Sequence, residues 1–207
     1  MAYRRTPAVQ ARLDAQAGSI VRAAMTVLSR DGFAGLSMAA VAAEAGVATG
    51  TVYKNFSGKS ELVTAVFREV VTREVAAVAA AGGVSTAPRP AERLAVERVT
   101  AAVETFAGRA LKNPKLAYVL LAEPVDTAVD TERLRFRRAF AETFESAIAD
   151  GVASGQLPPQ DPRTSATALV GAIGEVLVGP LAEQVDSESV VPELVAFALR
   201  ALGVPQK

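Results

Sequence analysis

Residues 37–56 read "SMAAVAAEAGVATGTVYKNF", and the reading of that stretch decides the fold. Val41 and Ala45 share one face of a first short helix, and Val52 and Phe56 share one face of a second. Ser37 is placed to cap the first helix, its hydroxyl accepting from an orphan backbone N–H. Gly46 falls where that helix must stop, in a left-handed conformation that costs glycine no Cβ clash. Val47 then turns back into a small core, and Thr49 or Gly50 opens the second helix. A helix, a glycine turn and a short second helix make a helix-turn-helix.

The second helix is too short and too polar to be held by packing alone. Its apolar residues anchor it, which leaves Thr49, Thr51, Tyr53 and Lys54 for an outer face. Hydroxyls and an ammonium suit phosphate oxygens, and Lys54 or Thr49 can reach base edges. Taken alone, the same pattern also fits a helical hairpin inside a bundle, with a wet face that binds nothing.

The flanking residues favour the first reading. The run "GFAGLSMAAVAAEAGVATGTVYKNFSGKSELVTAVF", residues 32–67, resembles the TetR family of bacterial transcriptional regulators. The resemblance is carried by Gly32–Phe33, Ser37, Val41–Ala42, Ala45–Gly46–Val47, Gly50–Thr51–Val52–Tyr53, Phe56, Lys59 and Leu62, all at ungapped spacing. With the preceding helix it covers roughly the first third of the chain. Ala48, Thr49 and Asn55 depart from the family's usual residues at outward positions, which bears on the DNA sequence preferred and not on the fold.

Composition agrees with a DNA-binding head on a different kind of body. The 207 residues are 50% hydrophobic but only 5% aromatic, which suits closely packed helices, and the formal net charge is +0. Residues 1–60 hold seven basic side chains (Arg4, Arg5, Arg12, Arg22, Arg30, Lys54, Lys59) against three acidic ones (Asp14, Asp31, Glu44). The head is therefore basic and the remainder acidic, as in a nucleic-acid-binding segment joined to a segment that does not bind it. Without cysteine there is no disulfide framework or thiolate metal site, and without histidine the commonest general base is missing. No cofactor is expected. The N-terminus "MAYRRTPAVQARLDAQ" lacks the apolar core of a secretory signal. No uncharged apolar run reaches the ~18–20 residues of a membrane span, so a soluble cytoplasmic protein with no membrane partner is expected.

Along the chain, residues 1 to about 12 read as irregular, with Pro7 breaking any helix; the small basic arm Arg4–Arg5 fits a disordered terminus and a contact to DNA phosphate or minor groove equally well. A support helix follows from Leu13 to Arg30 and ends at Gly32, with Arg22 and Arg30 solvated. Ser57 is the expected cap of the next helix, 57–81, which would link head to body. Lys59 in its first turn runs against the helix dipole, so a phosphate is expected opposite it. "GGVSTAPRP", 82–90, is the linker. Beyond it the pattern is helical throughout: about 91–111, 114–122, 132–153, 162 to Pro180 or kinked on to Val185, and 190–202. Asn113–Pro114 and Asp161–Pro162 are caps followed by proline at the first helical position. The expected fold is all-α, about nine helices in total. A DNA-binding head (1–58, motif 37–56) is followed by a helical body (82–207).

In the body the resemblance implies effector binding and dimerisation, with two late helices per subunit forming a four-helix bundle. The candidates are 162–185 and 190–202; Ala168, Gly171, Ala172 and Gly179 form a small-residue face for the seam. Glu175, alone in "ALVGAIGEVLVGPL", should be buried and meet an arginine or a ligand group. An effector cavity is expected among helices 91–111, 114–122, 132–153 and 162–180, with Phe106, Tyr118, Phe136, Phe140 and Phe144 as wall candidates. Few charges point inward, which predicts an apolar effector.

The resulting expectation is a repressor that binds a palindromic double-stranded operator as a homodimer and is released by a small effector. Ser37, Thr51, Tyr53 and Lys59 would hold phosphates, and Thr49, Gly50 and Lys54 would read bases. Two other readings compete: a DNA-binding regulator with a filled core, and a helical-bundle small-molecule binder or enzyme with a vestigial head. The second is disfavoured by the missing His, Cys, phosphate loop and metal-spaced carboxylates.

Overall fold

The computed structural model describes residues 7–83, 95–125, 127–183 and 189–205. The Arg4–Arg5 arm, most of the 82–90 linker and the stretch 184–188 lie outside them. Among the described residues the fold is all-α with nine helices: α1 (Pro7–Gly35), α2 (Met38–Ala45), α3 (Thr49–Asn55), α4 (Lys59–Ala81), α5 (Ala95–Lys112), α6 (Pro114–Leu121), α7 (Thr127–Ala153), α8 (Pro162–Glu183) and α9 (Val190–Ala201).

Local chemistry sets most of the boundaries. Asn113 Oδ1 accepts from Leu116 N at 3.4 Å with Pro114 behind it, and Asp161 Oδ1 accepts from Thr164 N at 2.7 Å ahead of Pro162. Three expectations need correction. Helix α7 begins at Thr127 and not near residue 132. Pro7 begins α1 instead of breaking it, because a proline in the first turn gives up an N–H that has no intrahelical acceptor. Ser57 does not cap α4; Gly58 takes that position, and Ser57 instead donates its N–H and hydroxyl to Glu61 at 2.7 and 2.6 Å. That carboxylate sits in the first turn, where the helix dipole favours it. Gly32, at φ 70° and ψ −171°, interrupts the helical path of α1 as expected.

Two apolar cores result. The first joins Ile20, Ala24, Val27 and Leu28 of α1 to Val41, Val52, Leu62, Val66 and Phe67, and it also takes Leu116, Val119 and Leu120 from α6. The second gathers Val99, Val103 and Phe106 of α5 with Phe140, Phe144, Ile148, Leu169, Ile173, Leu177 and Leu194. Ala117 and Leu121 belong to this second core, so the eight-residue helix α6 is shared between the two.

Hydrogen bonds fix α6 at both ends against α1. Asn113 Nδ2 donates to Ser29 Oγ (3.0 Å), Lys115 Nζ to the Arg30 carbonyl (2.6 Å), and Phe33 N to the Glu123 carboxylate (3.2 Å). Arg133 of α7 donates to the carbonyls of Val119, Leu120 and Glu123, satisfying the C-terminal carbonyls of α6. Glu132 is the buried carboxylate of the α4–α7 contact, bonded by Arg68 and Arg135 at 2.7 Å each.

Helix α8 runs through Pro180 to Glu183. It is the one helix among the described residues that is long and apolar enough, by length and composition, to cross a membrane, and only 33% of that apolar window is buried.

Candidate DNA-binding face and effector cavity

The helix-turn-helix is built as its residues dictate. Ser37 Oγ accepts from Ala40 N at 3.1 Å, and Gly46 closes α2 at φ 65° while Val47 N donates to the Ala42 carbonyl at 3.0 Å. Val52 and Phe56 are buried and hold α3 down. That leaves Thr49, Gly50, Tyr53 and Lys54 exposed on one continuous outer surface, with Thr51 half-buried and Ser37 exposed at the start of α2. Tyr53 keeps 54% of its surface exposed. A Cβ built on Gly50 would meet nothing within 4 Å, so backbone there is open to close approach.

Two charged residues of the head have partners the sequence did not indicate. Lys59 Nζ donates to the Phe33 carbonyl at 2.6 Å and lies 3.9 Å from the centre of the Phe33 ring. The ammonium thus pins the start of α4 to the turn after α1. Arg30, expected to be solvated, pairs with Asp31 (2.9 Å) and Glu44 (3.1 Å) and ties α1 to α2.

A cavity of about 200 Å³ opens between α4, α5, α6 and α7. Phe106, Phe136 and Phe140 form its aromatic wall; Phe140 lies 4.5 Å from each of the other two, centre to centre. The other candidates do not line it. Phe144 is wholly buried behind that wall, Tyr118 is half-buried against the body core outside the cavity, and Glu175 is exposed on α8. Helix α8 contributes no lining residue, whereas α4 contributes Val70, Arg73, Glu74 and Val78. Periodicity shows only that a helix has an apolar stripe, and the i, i+4 line Val70–Glu74–Val78 was the available sign that α4 faces a cavity.

Charges do reach this cavity: Arg73, Glu74, Arg109 and Lys112 stand at its mouth. Arg109 grips Glu74 with two N–H groups, and Arg73 reaches it at 3.1 Å. Burial pushes the Glu74 carboxyl up, but the hydrogen bonds from Arg109 and Arg73 outweigh it and leave Glu74 below its ordinary range. Among the described residues no group of three or more Asp, Glu, His or Cys could hold a metal.

The small-residue face of α8 points outward. Ala168, Gly171, Glu175 and Gly179 are exposed, and a Cβ on either glycine would meet open space. Beside it Val176 and Phe197 keep 50% and 41% of their surface, around a groove lined by Val190, Glu193, Leu194 and Arg200.

The family model described as "Bacterial regulatory proteins, tetR family" matches residues 20–66, and that described as "Tetracyclin repressor-like, C-terminal domain" matches residues 92–177. No curated protein matches the sequence. Among solved structures, the fatty acid degradation regulator FadR from Bacillus halodurans superposes with a TM-score of 0.74 at 18% identity, covering 96% of each chain. FadR from Bacillus subtilis, solved in complex with stearoyl-CoA, gives 0.75 at 17%, over 91% of this chain and 99% of that one. A TetR transcription regulator from Haloarcula marismortui gives 0.75 at 17%, over 92% and 97%. At these identities the likeness is one of fold.

Proposed function

The chain belongs to the TetR family of bacterial transcriptional regulators, DNA-binding proteins rather than enzymes, and from that premise we propose that it is a repressor binding a two-fold symmetric operator as a homodimer. The observation that carries the reading is the outer surface of α3: its apolar side is buried, while Thr49, Gly50, Tyr53 and Lys54 face out together. In this reading Thr49, Gly50 and Lys54 read bases, and Ser37, Thr51 and Tyr53 bond phosphates. Lys59, held on Phe33, adds its charge to the field of the head.

Two heads joined by a dimer place their α3 helices in successive major grooves, roughly 34–36 Å apart. The α8–α9 surface is the dimer seam, because its apolar area is left uncovered by a single chain. A second copy is a better cover than lipid, since Glu175 lies on the same face, where an arginine of a partner could pair with it. A small ligand in the α4–α7 cavity releases DNA by favouring a subunit arrangement with the wrong head spacing. The presence of that cavity speaks against a regulator with a filled core.

The test is selection of bound duplexes from random DNA by the full-length protein. Recovery of an inverted repeat, bound with two chains per site, is the expected result. Recovery of no sequence preference, or of a single unrepeated half-site, would overturn the reading.

A further inference from the structure

The cavity carries information about its ligand that its apolar floor alone does not give. Phe106, Phe136 and Phe140 offer an apolar wall, but the mouth holds three cations and one anion. Glu74 is already bonded by two guanidinium groups, Arg109 through two N–H groups and Arg73 through one. An entering organic cation would compete with both arginines for a single carboxylate, inside a mouth of net positive charge. A neutral apolar ligand would leave that positive charge unanswered. Lys112 is exposed at the same mouth and has no ion-pair partner among the described residues.

We infer that the cavity binds an amphiphilic organic anion of modest size, its carboxylate-type headgroup at Lys112 and Arg109 and its apolar body against the three phenylalanines. The inference rests on the reading of this cavity as the effector site. Volume sets the size. About 200 Å³ lies between the ~150 Å³ that accommodates benzene in an engineered cavity and the ~300 Å³ at which drug-sized pockets begin. An octanoate tail is of that scale, and a hexadecanoate tail exceeds it.

Calorimetric titration of the full-length protein with octanoate, 1-octanol, octyltrimethylammonium and hexadecanoate tests this. Octanoate is expected to bind roughly tenfold tighter than octanol, with an affinity that falls as salt is added. The ammonium compound should give no binding. Lys112→Glu should weaken octanoate by about tenfold and leave octanol unchanged, with Lys112→Gln showing a smaller loss in the same direction. Ala110→Leu, which adds bulk to the cavity lining, should weaken binding of both. Equal affinity for the alcohol, preference for the cation, tightest binding of hexadecanoate, or indifference to Lys112→Glu would overturn the inference. Absence of binding by all four with operator affinity intact overturns it and leaves the DNA-binding reading standing. Octanoate binding without any operator preference supports the ligand class and overturns the DNA-binding reading.

Discussion

Tyr53 shows how far a single side chain can be interpreted. It is more than half exposed on α3, a helix held down by Val52 and Phe56. Its exposure gives it little part in stability, so the proposed contact with DNA can be tested separately from folding. Tyr53→Ala should weaken operator binding by roughly tenfold or more, while the melting temperature moves by no more than the ~0.5 kcal/mol equivalent of a surface change. Fluorescence anisotropy with labelled operator and a thermal melt measure the two quantities. Glu132 is the opposite case. Hydrogen bonds from Arg68, opposed by burial and aided by the charges of Arg68 and Arg135, hold its carboxyl below the ordinary range. A carboxyl with a folded value depressed below its unfolded one, near ~4.3, adds stability above that pH and loses it as pH falls through the folded value. Glu132→Gln should therefore cost about 1–2 kcal/mol at pH 7 and much less at pH 3, measured by urea denaturation at both. Sequence allowed the caps at Ser37, Asn113 and Asp161 to be read, since each partner lies three residues away. It did not disclose Lys59 on Phe33 or Glu123 on the same turn, because those partners lie 26 and 90 residues off.

At the scale of elements, α6 is the piece that joins the two cores. Leu116 and Leu120 line the cavity and also belong to the core of the head, while Ala117 and Leu121 belong to the core of the body. A ligand that displaces α6 must disturb α1, to which α6 is bonded through Asn113, Lys115 and Glu123. The Glu123–Phe33 bond is the one nearest the helix-turn-helix, and it spans a turn in which Gly32 holds φ 70°. Glu123→Ala should leave ligand affinity and ligand-free operator affinity within about threefold, yet remove roughly 1 kcal/mol of the coupling between them. Operator titrations with and without saturating octanoate give that coupling directly; an unchanged value would show that the signal bypasses this bond. Helix existence and order were legible from periodicity and proline caps. Which helices wall the cavity was not, because an apolar face runs along both α4 and α8, and only packing decides that α4 faces the cavity and α8 faces out.

For the whole molecule, the question is what covers α8 and α9. Burial in one chain leaves Val176 and Phe197 half or nearly half exposed, beside Gly171 and Gly179, where nothing blocks close approach of another helix. The chain places its most apolar long helix where only a third of it is buried. A stable dimer interface buries on the order of 1,200–2,000 Å², and a fully desolvated aromatic near its centre commonly contributes about 2 kcal/mol or more. A carboxylate at that point removes the aromatic's apolar area and adds a desolvation cost, so Phe197→Asp should push the assembly to monomers at micromolar concentration. Light scattering after size exclusion would detect the shift. The head core is remote from this substitution and keeps its fold, so each monomer retains one intact α3. Operator affinity should nonetheless collapse, because two half-sites are then bound as independent events without the effective concentration that a joined pair of heads provides. The residual binding should be salt-sensitive and indifferent to half-site spacing, whereas the intact protein should lose affinity when the half-sites are moved by half a helical turn. A Phe197→Asp protein that is monomeric yet still discriminates spacing would show that the heads are joined by some surface other than α8 and α9.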